Sequence, residues 1–207
     1  MTEADATPQM TERKAEIVRI AAGLFAERGF DGASLRHIGD AVGMRRGSLY
    51  AHFDSKDEIL GLVLGPALAA LRETLDDAAA SDGSGAERLR LAMERAVERC
   101  IEYRDAFLIL FQDRMLIDEA PSLAHLSTQA NAITPIWLSM IDAGQDDGSI
   151  RSDIAASSIA LGIYALLMGA LSDRHLGLEA ATGQSLGTAA DLAKVATTML
   201  FEGITPD

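Results

Sequence analysis

Between residues 17 and 53, apolar side chains recur at helical spacing in three short bursts separated by glycines, and this punctuation is the tightest constraint in the chain. Ile17, Ile20, Ala21, Leu24 and Phe25 fall at i, i+3, i+4, i+7 and i+8, one stripe of an amphipathic helix that Gly29 ends. Ser34 can cap a second helix by accepting a hydrogen bond from a free N–H, and Leu35, Ile38, Gly39 and Val42 keep the spacing until Gly43. After Met44 and the pair Arg45-Arg46, Leu49, Tyr50 and Phe53 supply the apolar face of a third short helix.

Two short helices joined by a tight glycine-containing turn form the helix-turn-helix pattern. In that unit the first helix braces, and the second offers its N-terminal side chains to base edges in a major groove. The net charge of −13 argues the other way, because phosphate repels an acidic surface. The distribution of that charge removes the objection. Thr11 to Leu60 carries eight Lys or Arg against eight Asp or Glu, whereas Gly61 to Asp207 carries ten against twenty-one. The acidity therefore belongs to the C-terminal part, as expected of a DNA-reading head on an acidic body, although an ordinary acidic protein fits the same counts.

The run from Phe25 to Ile38 (FAERGFDGASLRHI), followed by Val42 to Phe53 (VGMRRGSLYAHF) and Ser55-Lys56, closely resembles the DNA-binding domain of TetR-family transcriptional regulators. The match covers about a quarter of the chain. The resemblance implies an all-α homodimer, usually a repressor, with an effector pocket in a divergent C-terminal domain. Carried over position by position, it implies DNA contacts from Arg45, Arg46, Ser48, Tyr50 and His52 on the recognition helix or its shoulder. Ser34 and Arg36 would anchor the backbone at the bracing helix, and Tyr50 and Lys56 would touch phosphates. For Tyr50 and His52 a second reading stands, in which the aromatic closes the three-helix core and the histidine bonds backbone. Two positions depart from the family pattern, Arg45 where Ser or Thr is common and Gly39 where Ala is common.

Domain organisation follows: a disordered arm over 1–10, a helix-turn-helix domain over 11–56, and a helical effector-binding and dimerisation domain over 57–207. Beyond Ser55 a connecting helix is expected, broken or kinked near Gly65-Pro66, where proline removes a donor. Further helices are expected near Leu89 to Ile101, over Ala106 to Ile117, Ser122 to Asp142, Asp153 to Arg174 and Ser185 to Glu202. Small residues Ser158, Gly162, Ala165 and Gly169 form one stripe, and Ala189, Ala193, Ala196 and Leu200 another; together they predict a four-helix bundle with a symmetry mate. Tyr103, Phe107, Phe111 and Met115 recur along one stretch, with Trp137 and Met140 on another, the mixed aromatic and Met lining of an apolar effector cavity. His125 and Gln112 are its candidate polar contacts, while plain core packing is the competing account of the whole stripe.

Enzyme chemistry finds little support, with no HExxH, no phosphate-binding glycine loop, no Cys/His ligand cluster and four scattered histidines. No metal site and no cofactor are expected. Cys100 cannot form an intrachain disulfide and reads as a core residue beside Val97 and Ile101. Ile154 to Leu171 carries no charge, yet its Ala, Ser and Gly content suits a buried interface helix better than a membrane span. With no signal-peptide pattern at the N-terminus, a cytoplasmic protein is expected. The expected partners are a pseudo-palindromic double-stranded operator, a small, largely apolar effector and a second copy of the chain. A helical small-molecule binder or enzyme without DNA, and a TetR-like activator without effector, remain the alternatives.

Overall fold

A computed structural model describes residues 11–44, 46–171 and 189–206, so the arm over 1–10 and Arg45 lie outside the described residues. The same holds for the side chains of Arg46, Ala189, Ala193 and Ala196. The described residues are helical, with no strand among them. Three helices form the head: α1 (Glu12–Arg28), α2 (Leu35–Ala41) and α3 (Arg46–Leu49). The body holds α4 (Lys56–Ala79), α5 (Gly85–Glu102), α6 (Arg104–Gln112), α7 (Arg114–Glu119), α8 (Ala124–Asn131), α9 (Ile133–Asp146), α10 (Ala156–Leu171) and α11 (Ala189–Ile204).

Three expectations need correction. The connecting helix α4 runs unbroken for 24 residues with Pro66 inside it. Gly65 has no Cβ to meet the proline ring, Pro66 lies on the exposed side, and Val63, Leu64, Ala67 and Leu68 around it are buried. Their packing offsets the roughly 3 kcal/mol that an internal proline costs a helix. The expected helix Ala106 to Ile117 is two, parted at Asp113, whose φ of −105° and ψ of 20° leave the helical region. The expected helix Ser122 to Asp142 is a short 3₁₀ turn, Pro121–Leu123, followed by α8 and α9. Pro135 is the third residue of α9, where its missing N–H costs nothing but continuation of α8 is barred.

The head closes on buried Ile17, Ala21, Phe25, Phe30, Ile38, Leu49 and Phe53. Its α1 packs against both α4 and α6 of the body, and α4 packs in turn on α5, α8 and α9. At the far end, α5 meets α9 so closely that a Cβ on Gly85 would lie 2.1 Å from the Gly144 nitrogen. Asp147 anchors that end, accepting a 2.7 Å bond from the Gly85 N–H.

Gly85→Ala should therefore lower the free energy of unfolding by at least the roughly 1–3 kcal/mol typical of overpacking. Gly23→Ala, mid-helix in α1 with its nearest neighbour an ordinary 3.8 Å away, should raise it by about 0.5–1 kcal/mol. Urea unfolding of the two variants beside the parent checks both signs.

Candidate functional site

The head is built from local rules. Ser34 caps α2: its hydroxyl accepts from the His37 N–H, and His37 Nδ1 accepts from the Ser34 N–H, both at 3.2 Å. Gly43, at φ +68°, makes the turn between α2 and α3, and the Met44 N–H returns to the Gly39 carbonyl at 2.8 Å. Arg13 of α1 braces the same turn from behind, donating to the Val42 carbonyl at 2.9 Å.

A second turn, Gly29 to Ala33, joins α1 to α2. Gly29 takes φ +72°, and a Cβ on Gly32 would lie 2.3 Å from the Arg28 carbonyl oxygen, so both positions require glycine. Lys56, the first residue of α4, donates to the Phe30 carbonyl at 2.8 Å and to the Ala33 carbonyl at 3.1 Å, with its ammonium 4.0 Å from the Phe30 ring centroid. Next to it, Glu58 pairs with Lys14 of α1 at 2.9 Å and accepts from the Asp54 N–H. Burial alone would raise the Glu58 pKa, but the Lys14 hydrogen bond, the Asp54 N–H and the Lys14 charge outweigh it and hold the carboxyl below its ordinary range.

Among the expected DNA contacts, Ser34, Arg36, Ser48 and Tyr50 are exposed. Tyr50, 47% exposed, is not the aromatic that closes the head; Leu49 and Phe53 do that at 1% and 2%. His52 is half-buried, its ring tilted against Phe53. Arg36 faces Asp40 at 3.7 Å, both largely exposed, a pair too weak to hold it in place. Lys56, expected to touch phosphate, is half-buried and places its ammonium on the two turn carbonyls that it bonds. The backbone of Arg46 opens α3, while Arg45 lies outside the described residues.

In the body, Phe107, Phe111 and Trp137 line one apolar cavity of about 280 Å³. The other predicted lining residues lie elsewhere. Tyr103 borders a separate cleft between α1 and α4, Met140 is buried outside the lining, and Gln112 is exposed. His125 sits over the start of α4 in a groove with Asp57 and Ser122. Met115 is 76% exposed, because the break at Asp113 turns α7 away from the register of Phe111. Sequence reasoning missed Leu68 and Leu71 of α4, Cys100, Arg114, Ala130, Thr134 and Tyr164, all in the lining. The lining's polar groups are few: Thr134 and Tyr164 share a 2.8 Å hydroxyl bond, and Arg114 is fixed by Asp118 at 2.9 Å and Asn131 at 2.5 Å. Burial pushes the Cys100 thiol up to about 12, so it faces the cavity as a neutral, apolar group.

On the outer side, Ser158 and Ala165 are exposed, as are the large side chains Leu161, Val195 and Met199 at 70%, 57% and 68%. Gly162 and Gly169 are half-buried, and Leu200 packs within the chain, its Cδ1 3.9 Å from where a Gly162 Cβ would stand. Among the described residues no helix is long and apolar enough to cross a membrane.

Lys56→Met keeps the apolar stem but leaves two turn carbonyls without their charged donor. Thermal and urea unfolding should show a loss of about 1.5–3 kcal/mol, the usual worth of hydrogen bonds to a charged group.

Comparison with known proteins bears on this arrangement directly. Residues 17–63 match the family described as bacterial regulatory proteins, tetR family, and residues 82–171 match a tetracyclin repressor-like C-terminal domain. The HTH-type transcriptional repressor KstR2 of Rhodococcus jostii is 36% identical over 159 residues, 73% of this chain and 74% of that protein. The structure of the ketosteroid transcriptional regulator KstR2 of Mycobacterium tuberculosis superposes with a TM-score of 0.83 at 23% identity, covering 96% of this chain and 98% of that one. AibR, solved in complex with isovaleryl coenzyme A and operator DNA, gives a TM-score of 0.71 at 19% identity, over 92% of this chain and 98% of its own. With its glycine-punctuated head and its cavity-bearing helical body, this chain belongs to the TetR family and is a helix-turn-helix transcriptional regulator.

Proposed function

We propose that the protein is a repressor that holds a pseudo-palindromic operator as a homodimer and releases it when a small, largely apolar molecule enters the cavity. The observation that carries this reading is the presence in one chain of a helix-turn-helix head, with Ser48 and Tyr50 exposed, and an apolar cavity, joined by α4, whose first residue ties down the head and whose Leu68 and Leu71 line the cavity. The relatives named repressors support the sign of regulation, and the AibR complex supports a fold that holds effector and operator together. Arg114 and the Thr134–Tyr164 pair favour an effector whose apolar body carries at least one oxygen acceptor.

The dimer would form through α10 and α11, where Leu161, Val195 and Met199 stand exposed beside the small Ser158 and Ala165. Single exposed apolar residues are ordinary, but three on two adjacent helices make a patch that a symmetry mate can cover. A two-fold dimer then sets its recognition helices about 34–36 Å apart, one turn of DNA, or a multiple of that.

Selection of bound fragments from sheared source DNA should enrich one palindrome-like site. Arg46→Ala should weaken binding to it and, if the contact is to phosphate, reduce the salt slope by about one. A cavity ligand at one hundred times its dissociation constant should add about 2.7 kcal/mol to stability and weaken the operator complex. Failure to enrich any site at low salt with folded dimer would remove the DNA reading, and ligands that stabilise without loosening DNA would remove the release mechanism. Leu161→Glu should give monomers by sedimentation and lose tight operator binding, while melting as a folded protein.

A further inference from the structure

We propose that Asp113 is the positioning residue through which the state of the cavity reaches the DNA-binding head; the inference rests on the ligand-release reading above. Asp113 stands at the break between α6 and α7, in the N-cap position of α7. Asp is among the residues best suited to cap its own helix there. It does not do so: no side-chain cap bond is formed, and its Oδ2 accepts instead from the Phe30 N–H at 2.9 Å, 83 residues away. The carboxylate is thus used in a long-range contact and not in a local cap.

Each end of that bond sits where a small movement has consequences. Phe30 is the second residue of the Gly29 to Ala33 turn: its ring packs edge-on against Phe25 at 5.2 Å, and its carbonyl is held by Lys56. Moving its N–H moves the turn that enters α2. On the other side, the flanking residues Phe111 and Arg114 both line the cavity. Phe111 meets the Tyr164 ring at 6.5 Å, and Arg114 is locked to Asp118 and Asn131. Any occupant that displaces either side chain shifts the break in which Asp113 sits. Eight residues earlier, a Cβ added to Gly23 of α1 would lie 3.8 Å from the Asp105 carboxylate of α6, so that α6 runs along α1 and Asp113 grips its end.

The test uses cavity filling in place of an effector. Ala130 is buried in the lining, and Ala130→Leu and Ala130→Phe form a graded series of fillers, each made in the full chain alone and together with Asp113→Ala or Asp113→Asn. Melting curves and sedimentation establish that each variant is a folded dimer, and the smaller filler serves where the larger does not fold. Two quantities are read: affinity for the selected operator fragment, and hydrogen exchange at the Phe30 amide.

The fillers should weaken operator binding about tenfold when Asp113 is present, within the range of ordinary allosteric coupling, and less than twofold beside Asp113→Ala. They should also speed exchange at Phe30. Asp113→Asn, whose side-chain carbonyl can still accept from Phe30, should keep the response. A residue with a merely structural role would lower affinity in Asp113→Ala but leave the filler effect intact. The proposal is overturned if the fillers weaken binding equally in all backgrounds with Phe30 exchange unmoved, a result that leaves ligand release standing. It is also overturned if Asp113→Asn loses the response as Asp113→Ala does. If no filler changes operator affinity or Phe30 exchange in any background, the proposal falls together with the release mechanism.

Discussion

The ammonium of Lys56 is the point on which the head and the body agree. The turn from Gly29 to Ala33 is too tight to satisfy its own carbonyls fully, and the helix that follows it needs a fixed starting direction. One cation answers both needs, bonding Phe30 and Ala33 while lying over the Phe30 ring. Because Lys56 is also the first residue of α4, the orientation of α2 and α3 is set by the same helix that runs on through the body. Lys14 and Glu58 repeat the connection two residues on, between α1 and α4. The head is therefore not a bead on a linker; its turn is bolted to the end of a 24-residue lever.

The far side of that lever faces a hole. It holds about 280 Å³ of space bordered by apolar side chains. Fully packed cores avoid such space, and this one is otherwise well filled, with Trp137, Phe107 and Leu68 buried around it. Its lining is apolar apart from Arg114, Thr134 and Tyr164, and these polar groups are already satisfied by one another or by Asp118 and Asn131. An apolar cavity kept from internal polar frustration is suited to an occupant that restores packing contacts and orients by one or two oxygen atoms.

What could be read in the sequence was what depends on near neighbours. Ser34, Gly29, Gly43, Leu49 and Phe53 do their work within a few residues, so spacing alone placed the cap, the turns and the head's core. Phe107, Phe111 and Trp137 were legible as candidate cavity lining, with plain core packing as the rival account, since core and cavity lining have the same spacing and differ only in what lies opposite. Leu68, Leu71 and Tyr164 were hidden for that reason. Met115 failed because four residues after Phe111 is the same face only while the helix continues, and Asp113 interrupts it. Asp113 itself fell inside the single helix expected over Ala106 to Ile117; its partner Phe30 lies in another domain, and no local pattern reports a bond across 83 residues.

The arrangement of α10 joins the remaining parts. Tyr164 and Leu167 face the cavity, whereas Leu161 and Ala165, on the same helix, face outward where a second copy would sit. The cavity is thus walled by α4 and α6, which touch the head, and by α10, which carries the outer apolar patch. A small rotation of a helix packed on both faces cannot be absorbed by its own core, because close-packed side chains transmit displacement rather than yield to it. In a two-fold dimer the displacement appears twice with opposite sense, once in each head. In such a dimer a modest shift at the cavity wall would change the distance between recognition helices, the quantity that the spacing of operator half-sites reads.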